Sequence, residues 1–319
     1  MEQQPSGNNT LKGFSAAIVA AVCYGTNPLG TLKLYEDGFN SGTVLSYRYG
    51  LAVLMFALVM LIRKESFAIK WGHAIKFALL GTFFALSSIT LYVSFHYMAA
   101  GIASTLLFVY PIMVAVIMAL FFKERLTITT ILCIVMALSG IGLLYRGSDG
   151  DTLSLVGTLL VMASSLSYAI YIVGANRPML SEIPTLKITF YVLVFGAVIF
   201  AGRFATGTPF TMPAASQWYM WADVVALALF PTAISFLCTT AAIQRIGSTP
   251  TAILGALEPV TAIFFGVLVF GETLTPRDMV GLTLIIAAVT MVVGGSKTGE
   301  YLMRLRRMFP RILNRVRNK

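Results

Sequence analysis

"LLFVYPIMVAVIMALFFKERLT" (residues 106–127) and "LGALEPVTAIFFGVLVFGETLT" (residues 254–275) lie 148 residues apart and share seven identical positions. Both stretches are apolar, both carry a proline at the same place, and both end in Glu-x-Leu-Thr. Weak internal symmetry of this kind indicates that the chain contains two copies of one structural unit.

The composition places both copies in a membrane. The 319-residue chain is 57% hydrophobic and 11% charged, with a mean hydropathy of +0.83, whereas soluble domains are about 45–50% apolar and about 25% charged. A spanning helix needs about 20 mainly apolar residues. Ten segments meet that requirement, so we predict an all-α polytopic fold. The predicted spans are residues 14–34, 43–62, 74–98, 100–122, 127–145, 153–175, 185–203, 221–243, 247–270 and 275–295.

The repeat divides these ten spans into two units of five. Near the start of each unit, "KGFSAAIVAAVCYG" and "VGTLLVMASSLSYA" match at an offset of 144, which aligns Tyr24 with Tyr168. The predicted repeats are residues 14–146 and 147–295. Because five is odd, the second copy enters the membrane from the opposite side. Inverted repeats are the usual architecture of secondary transporters, whose binding site lies near the midplane where the halves meet.

The basic residues set the orientation. With a cytoplasmic N-terminus, 18 of the 23 lysines and arginines fall on the cytoplasmic side. The positive-inside rule therefore predicts that both termini, residues 1–13 and 296–319, are cytoplasmic. We expect a multi-pass protein of the cell inner (plasma) membrane, because the sequence shows no organelle signal.

The C-terminal tail, residues 296–319, alternates apolar residues at helical spacing with arginines. This pattern predicts a basic amphipathic segment on the anionic inner leaflet. Nucleic acid is a poorer partner, because it would have to come to the membrane.

Together, the ten spans and the two Glu-x-Leu-Thr endings resemble the EamA family of the drug/metabolite transporter superfamily over about residues 13–295. The one departure in these endings is Lys123, which stands where the second copy has Gly271. The resemblance implies a secondary transporter that works by alternating access, most often an exporter of amino acids or other small metabolites. More distant relatives move nucleotide sugars, so a transporter of another metabolite class, nucleotide-sugar-like or drug-like, is the alternative.

A membrane enzyme or a channel is a further alternative. The chain has no HExxH, GxSxG or Walker motif and no paired acids within the spans, so neither intramembrane hydrolysis nor direct ATP drive is expected. Two distant histidines and three cysteines within spans offer no metal-ligand spacing. We therefore predict no enzyme, cofactor or metal, and a small-molecule substrate as the partner.

Glu258 is the only acid deep in a predicted span. Eleven residues of helix place it roughly 16 Å into a hydrocarbon core about 30 Å thick, where a charge costs at least a few kcal/mol. Pro259 removes a backbone donor beside it, which predicts an opened helix next to a polar cavity. The carboxylate could meet a substrate amine, or bind a proton in competition with a cationic substrate. A purely structural role, with the group protonated or hydrogen-bonded, is the alternative.

Tyr110 and Pro111 occupy the equivalent positions of the first copy, so two weakened helices are predicted around one site. Tyr110 offers a hydroxyl and a ring, unless it only packs between helices. In the first span, "CYGTNPLG" brings together Tyr24, Asn27 and Pro28. The asparagine could serve a ligand as donor and acceptor, while the small residues could instead permit close helix packing.

Three more polar side chains belong to the outer half. Arg48 could snorkel to the interface or meet a substrate carboxylate; the family resemblance, which includes an arginine in this region, favours a structural or gating role with a partner. His96 and Tyr92 could face the cavity mouth, although a lone histidine here is more often an interface residue. The residues predicted to bind substrate are Glu258, Tyr110, Asn27, Tyr168, Tyr24, Tyr92, His96 and Arg48, and those predicted to break helices at the site are Pro111, Pro259 and Pro28.

Overall fold

The structure is a computed structural model, and every regular element in the part of the chain that it describes is helical. The prediction of an all-α fold is therefore confirmed. The described residues are 7–97, 103, 106–123, 127–144, 154–177, 180, 182–205, 209–214, 216–270, 276–277, 279–288 and 291.

The elements are numbered in chain order. Those of the first half are α1 (Gly7–Gly25), α2 (Asn27–Glu36), α3 (Ser41–Ile62), α4 (Trp71–Ser94), α5 (Tyr110–Phe122) and α6 (Ile128–Leu144). Those of the second half are α7 (Leu155–Ala175), α8 (Thr185–Ala205), α9 (Trp218–Ala228), a π-helical segment (Leu229–Ile234), α10 (Ser235–Ile246), α11 (Ser248–Leu254), α12 (Leu257–Phe270) and α13 (Met279–Ala288).

Five stretches are long and apolar enough to cross a membrane as single described segments: Ser41–Ile62, Trp71–Ser94, Leu155–Ala175, Thr185–Gly202 and Trp218–Ile246. The other predicted spans are interrupted, or shorter within the described residues. The first divides at Thr26, and the ninth divides at Gly255 and Ala256.

The position of the ninth-span break corrects the sequence prediction. We expected one helix over 247–270 that opens at Pro259, but the helix ends at Leu254 and a new helix begins at Leu257. Proline is tolerated in the first turn of a helix, where a backbone N–H has no intrahelical partner. The break therefore lies on the N-terminal side of the proline.

The start of α1 also differs from the predicted boundary. The helix begins at Gly7, within the residues that we expected to form a polar tail. A side chain at Gly13 would contact Ile246 and Arg245, at 2.6 Å and 2.9 Å from the glycine's hypothetical Cβ. Close packing against the end of α10 thus supports the early turns of α1.

The helices of each half pack mainly against helices of the other half. The most extensive contact joins α4 of the first half to α7 of the second. Its counterpart under the repeat joins α10 of the second half to α1 of the first, and is about as extensive. The contact of α5 with α7 likewise corresponds to that of α12 with α1. Two further contacts, α3 with α8 and α5 with α11, join equivalent spans to each other. This pattern agrees with the two-repeat architecture.

Two aromatic contacts between the halves also occupy equivalent positions in the two repeats. Tyr47 meets Trp221 with ring centroids 5.9 Å apart, and Tyr191 meets Phe77 at 5.7 Å. Tyr191 follows Tyr47 by 144 residues, and Trp221 follows Phe77 by the same interval. The span of α8 comes five positions after that of α3, and an odd offset reverses the direction of the helix, so the two contacts lie at opposite ends of an inverted pair.

Small residues allow the helices to approach closely. Ser87 of α4 and Ser164 of α7 exchange hydrogen bonds, with 3.0 Å between their hydroxyl oxygens and 2.7 Å from the Ser164 hydroxyl to the Ser87 carbonyl. A Cβ on Gly81 would lie 2.7 Å from the Val192 carbonyl oxygen of α8 and 2.8 Å from the Phe195 Cβ. Such contacts supply much of the packing energy between helices in a bilayer.

We expect Gly81→Ala to lower stability by about 1–3 kcal/mol, because the added methyl overlaps backbone that cannot easily move. Thermal unfolding of the purified protein in detergent measures the effect. Gly50→Ala is the matched control, since nothing lies within 4 Å of its hypothetical Cβ. Equal melting temperatures for the two variants would show that α4 and α8 do not pack as described.

Candidate functional site

The candidate site lies at two breaks in the spans. At each break a proline lacks the backbone N–H that a continuous helix would donate to the carbonyl four residues earlier. Pro111 cannot donate to the Leu107 carbonyl, four residues earlier. The Ser165 hydroxyl of α7 takes that place, with its oxygen 2.9 Å from the Leu107 oxygen. A span of the second half thus satisfies the break in the first, as a low-dielectric interior requires.

The second break is satisfied locally. Pro259 cannot donate to the Gly255 carbonyl, and the backbone N–H of Glu258 donates to it instead at 2.9 Å. This tight turn fixes the backbone of Glu258 at the start of α12. Glycine is also needed opposite, because a Cβ on Gly25 of α1 would lie 2.7 Å from the Glu258 carbonyl oxygen.

Tyr110 packs against the break in the ninth span. Its side chain is buried, and its hydroxyl donates to the Ala252 carbonyl near the end of α11 at 3.2 Å. A Cβ on Gly255 would coincide with that hydroxyl. Tyr110 and Glu258, which are equivalent in the repeat, therefore lie side by side where the two halves meet.

The Glu258 side chain lies deep among protein atoms, yet part of its surface stays accessible. Tyr24, Tyr110 and Tyr168 all lie within range of electrostatic interaction with its carboxylate. Among the described residues no hydrogen-bond donor and no cation contacts that carboxylate. Acids placed in this way inside a membrane protein usually face a cavity or a partner, which makes Glu258 a candidate ligand-binding group.

Tyrosine rings form a wall beside the acid. The Tyr168 ring meets the Tyr110 ring edge-on with centroids 4.8 Å apart, and stacks on Tyr171 at 6.0 Å. Tyr168 and Tyr24 are partly exposed. The structure thus brings together four of the predicted residues, Glu258, Tyr110, Tyr168 and Tyr24, in what we term the Glu258 cluster.

Arg48 forms the centre of a second group. Its side chain is 4% exposed, and its Nε donates to the Thr232 hydroxyl at 2.9 Å. One terminal nitrogen, Nη1, donates to the Asn27 side-chain oxygen at 2.9 Å and to the Tyr92 hydroxyl. The expectation that Arg48 could snorkel is wrong, because neutral oxygens of three other elements hold it inside the bundle. We term this group the Arg48 clamp.

Asn27 is the shared acceptor of the Arg48 clamp. Besides Arg48, its side-chain oxygen accepts from the Tyr92 hydroxyl at 3.0 Å and from the Thr31 hydroxyl at 3.3 Å. Asn27 begins α2, and Pro28 lies in the first turn of that helix. The oxygen that we expected to serve a ligand is thus occupied within the protein.

His96 lies outside both groups. It follows the end of α4, is exposed, and stacks on Tyr35 with centroids 6.3 Å apart. Tyr35 in turn meets Tyr92 edge-on at 6.2 Å. His96 therefore lies at an exposed end of the bundle and is connected through Tyr35 to Tyr92 of the Arg48 clamp. Elsewhere in the described residues, no three His, Cys, Asp or Glu side chains come close enough to hold a metal ion.

Tyr24 connects the two groups. Its hydroxyl interacts with the Arg48 guanidinium, and it also lies within electrostatic range of Glu258. Sequence reasoning did not single out Thr232 or Thr31. A signal for Thr232 was present, since Pro231 lies inside an apolar span and a hydroxyl residue follows it.

A bundle of two repeats, with broken helices and an unpaired acid where the halves meet, defines a polytopic membrane protein of the transporter class. The chain belongs to the EamA-like transporter family, whose model matches residues 11–146 and again residues 155–294.

Similar proteins agree with that assignment. The uncharacterised transporter YcbK of Bacillus subtilis is 25% identical over 308 residues, which cover 94% of this chain and 98% of YcbK. The threonine/homoserine exporter RhtA of Escherichia coli is 28% identical over 198 residues, covering 62% of this chain and 63% of RhtA. A crystal structure at 18% identity superposes with a TM-score of 0.73, covering 89% of this chain and 96% of the other, and supports the fold.

We expect Gly255→Ala to destabilise the protein by about 1–3 kcal/mol, because the methyl group overlaps the Tyr110 hydroxyl. Tyr110→Phe should suppress most of that loss, since removal of the oxygen leaves the ring carbon Cζ 3.1 Å from the new Cβ. Melting temperatures of the two single variants and the double variant measure the coupling. Purely additive effects would contradict the contact between the two breaks.

Proposed function

We propose that this chain is a secondary active transporter of the cell inner (plasma) membrane that exports an amino acid or a related small metabolite. Both termini are cytoplasmic in this proposal, and the halves expose a midplane cavity to each side in turn. The observation that carries it is the Glu258 carboxylate, which is enclosed, accessible and without a hydrogen-bond donor among the described residues.

The chemistry of the Glu258 cluster suits an ammonium group. The carboxylate supplies the opposite charge, and the faces of tyrosine rings attract cations at close range. Tyr24 and Tyr168 are partly exposed and stand on two different repeats. A substrate amine at Glu258 would therefore touch both halves at once.

Coupling to protons follows from the same site. An isolated carboxylate in this interior must be neutralised, either by a proton or by a cationic ligand. Because one group cannot hold both, arrival of the substrate displaces the proton, and the reverse. Outward movement of substrate can then be driven by inward movement of protons.

Two considerations favour amino acids as the cargo. RhtA, which matches part of this chain, is named as an exporter of threonine and homoserine. Nucleotide sugars are the alternative class, but their diphosphates would be repelled by an unpaired carboxylate. The site thus favours a substrate with an amine over one that is purely anionic.

Alternating access requires cross-half contacts at both ends of the bundle that can break in turn. At the proposed outer end, the Asn40 amide donates to the Pro209 carbonyl at 2.7 Å. At the proposed inner end, Lys187 of α8 donates to the Ala68 carbonyl at 2.5 Å. Each contact joins the start of a helix in one half to a loop of the other half.

The basic tail, residues 296–319, lies outside the described residues. We propose that it rests on anionic lipid of the inner leaflet, as its sequence suggests.

Reconstituted transport tests the proposal. Proteoliposomes containing the full chain are assayed with a panel of radiolabelled amino acids that includes threonine, homoserine and the aromatic residues. We expect saturable flux that countertransport stimulates. Glu258→Gln should lower the flux at least about tenfold, because the neutral amide cannot replace a charge-assisted contact.

Glu36→Gln is the matched control, since Glu36 is exposed at the end of α2 and should transport like the wild type. Wild-type flux and wild-type pH dependence in Glu258→Gln would remove Glu258 from the site. Absence of flux for every amino acid in the wild type would refute the proposed cargo.

A further inference from the structure

The eighth span contains an irregularity that the Glu258 cluster does not use. Between α9 and α10 the chain forms a π-helical segment, Leu229–Ile234, around Pro231. Proline here cannot donate to the Leu227 carbonyl four residues earlier. Single π turns of this kind are frequent at functional sites, so the fate of that carbonyl matters.

Thr232 resolves the defect with its side chain. Its hydroxyl donates to the Leu227 carbonyl at 2.7 Å, and the same oxygen accepts from the Nε–H of Arg48 at 2.9 Å. Because the hydroxyl proton is committed to Leu227, the lone pairs are directed at Arg48. The two bonds polarise each other and are stronger together than apart.

The position of Thr232 in the Arg48 clamp is distinctive. Arg48 belongs to α3, and its other two described hydrogen-bond acceptors, Asn27 and Tyr92, belong to α2 and α4 of the same half. Among these acceptors Thr232 alone comes from the second half. The bond from Nε to Thr232 is therefore the link by which the clamp joins the two repeats.

We propose that Thr232 is a positioning residue, which holds the Arg48 guanidinium so that Arg48 fastens α2 and α4 to the eighth span. Loss of the Thr232 hydroxyl frees Nε, and the remaining contacts then loosen although none of them includes Thr232. The clamp closes the end of the bundle at which Tyr35 and His96 lie. The interpretation of this end as the outer gate rests on the proposed transport function, whereas the existence of the clamp does not depend on that function.

Hydrogen–deuterium exchange tests the proposal on the full chain in lipid nanodiscs, without any substrate. The readout is the exchange of α2 (Asn27–Glu36) and of the last turns of α4, residues 88–94. Thr232→Val keeps the shape and removes the hydroxyl, and Thr232→Ser keeps the hydroxyl. We expect Thr232→Val to speed exchange in both segments about tenfold or more, because a hydrogen bond to a charged group is lost. Thr232→Ser should resemble the wild type.

A second arm separates positioning from local capping. Methionine has no N–H donor, so Thr232→Val should add nothing to the exchange of α2 and α4 in an Arg48→Met background. If Thr232 only caps Leu227, exchange will rise at residues 227–235 alone, or the two substitutions will be additive, and either result overturns the proposal.

A third variant keeps the test valid if Thr232→Val alone does not fold. Pro231→Ala combined with Thr232→Val returns a backbone donor to Leu227, and α2 and α4 should still exchange faster than in Pro231→Ala alone. Unchanged exchange in that pair would also overturn the proposal. Since no substrate is present, a failure to detect transport would refute the proposed function without affecting this result.

Discussion

A backbone carbonyl that loses its helical donor inside a bilayer must find another donor in the protein, because lipid offers none. Three prolines create this need, and each is met differently. Ser165 reaches the Leu107 carbonyl from the other half, the Glu258 amide turns back to Gly255, and the Thr232 hydroxyl bonds Leu227. The irregular turns bring polar groups to the interior of an otherwise apolar bundle. The Glu258 cluster and the Arg48 clamp both lie beside these turns.

One group contains a base, Arg48, and the other an acid, Glu258, and the two side chains are not paired with each other. Arg48 is held by neutral oxygens, while Glu258 has no described hydrogen-bond donor at its carboxylate. Tyr24 interacts with both. A direct ion pair would have satisfied both side chains and left neither of them for a ligand. In the proposed function, this separation leaves the acid for a cationic substrate and the arginine to fasten helices, so that binding and closure influence each other through Tyr24.

Much of this architecture could be predicted from the chain. Apolar length indicated the helices, the repeated endings indicated two copies, and the alignment of Tyr110 with Glu258 indicated that both lie at one junction. Rotation about a helix axis could not be predicted, because in a span that is apolar on every side no periodic pattern shows which face is inside. For Arg48 the sequence therefore left snorkelling to the interface open beside a structural or gating role with a partner, and it could not name that partner. Thr232 was missed because its partner lies 184 residues away in sequence.

The central claim is that two halves, hinged at these breaks, expose one site to either end of the bundle. Distances between spin labels in lipid measure this directly, with one pair at Tyr97 and Met212 and another at Trp71 and Glu182. Each pair has one label in each half, and all four residues are exposed. The account predicts that a transported amino acid, or a change of pH, shifts the two distance distributions in opposite directions. Distributions that stay fixed, or that widen and narrow together, would contradict it.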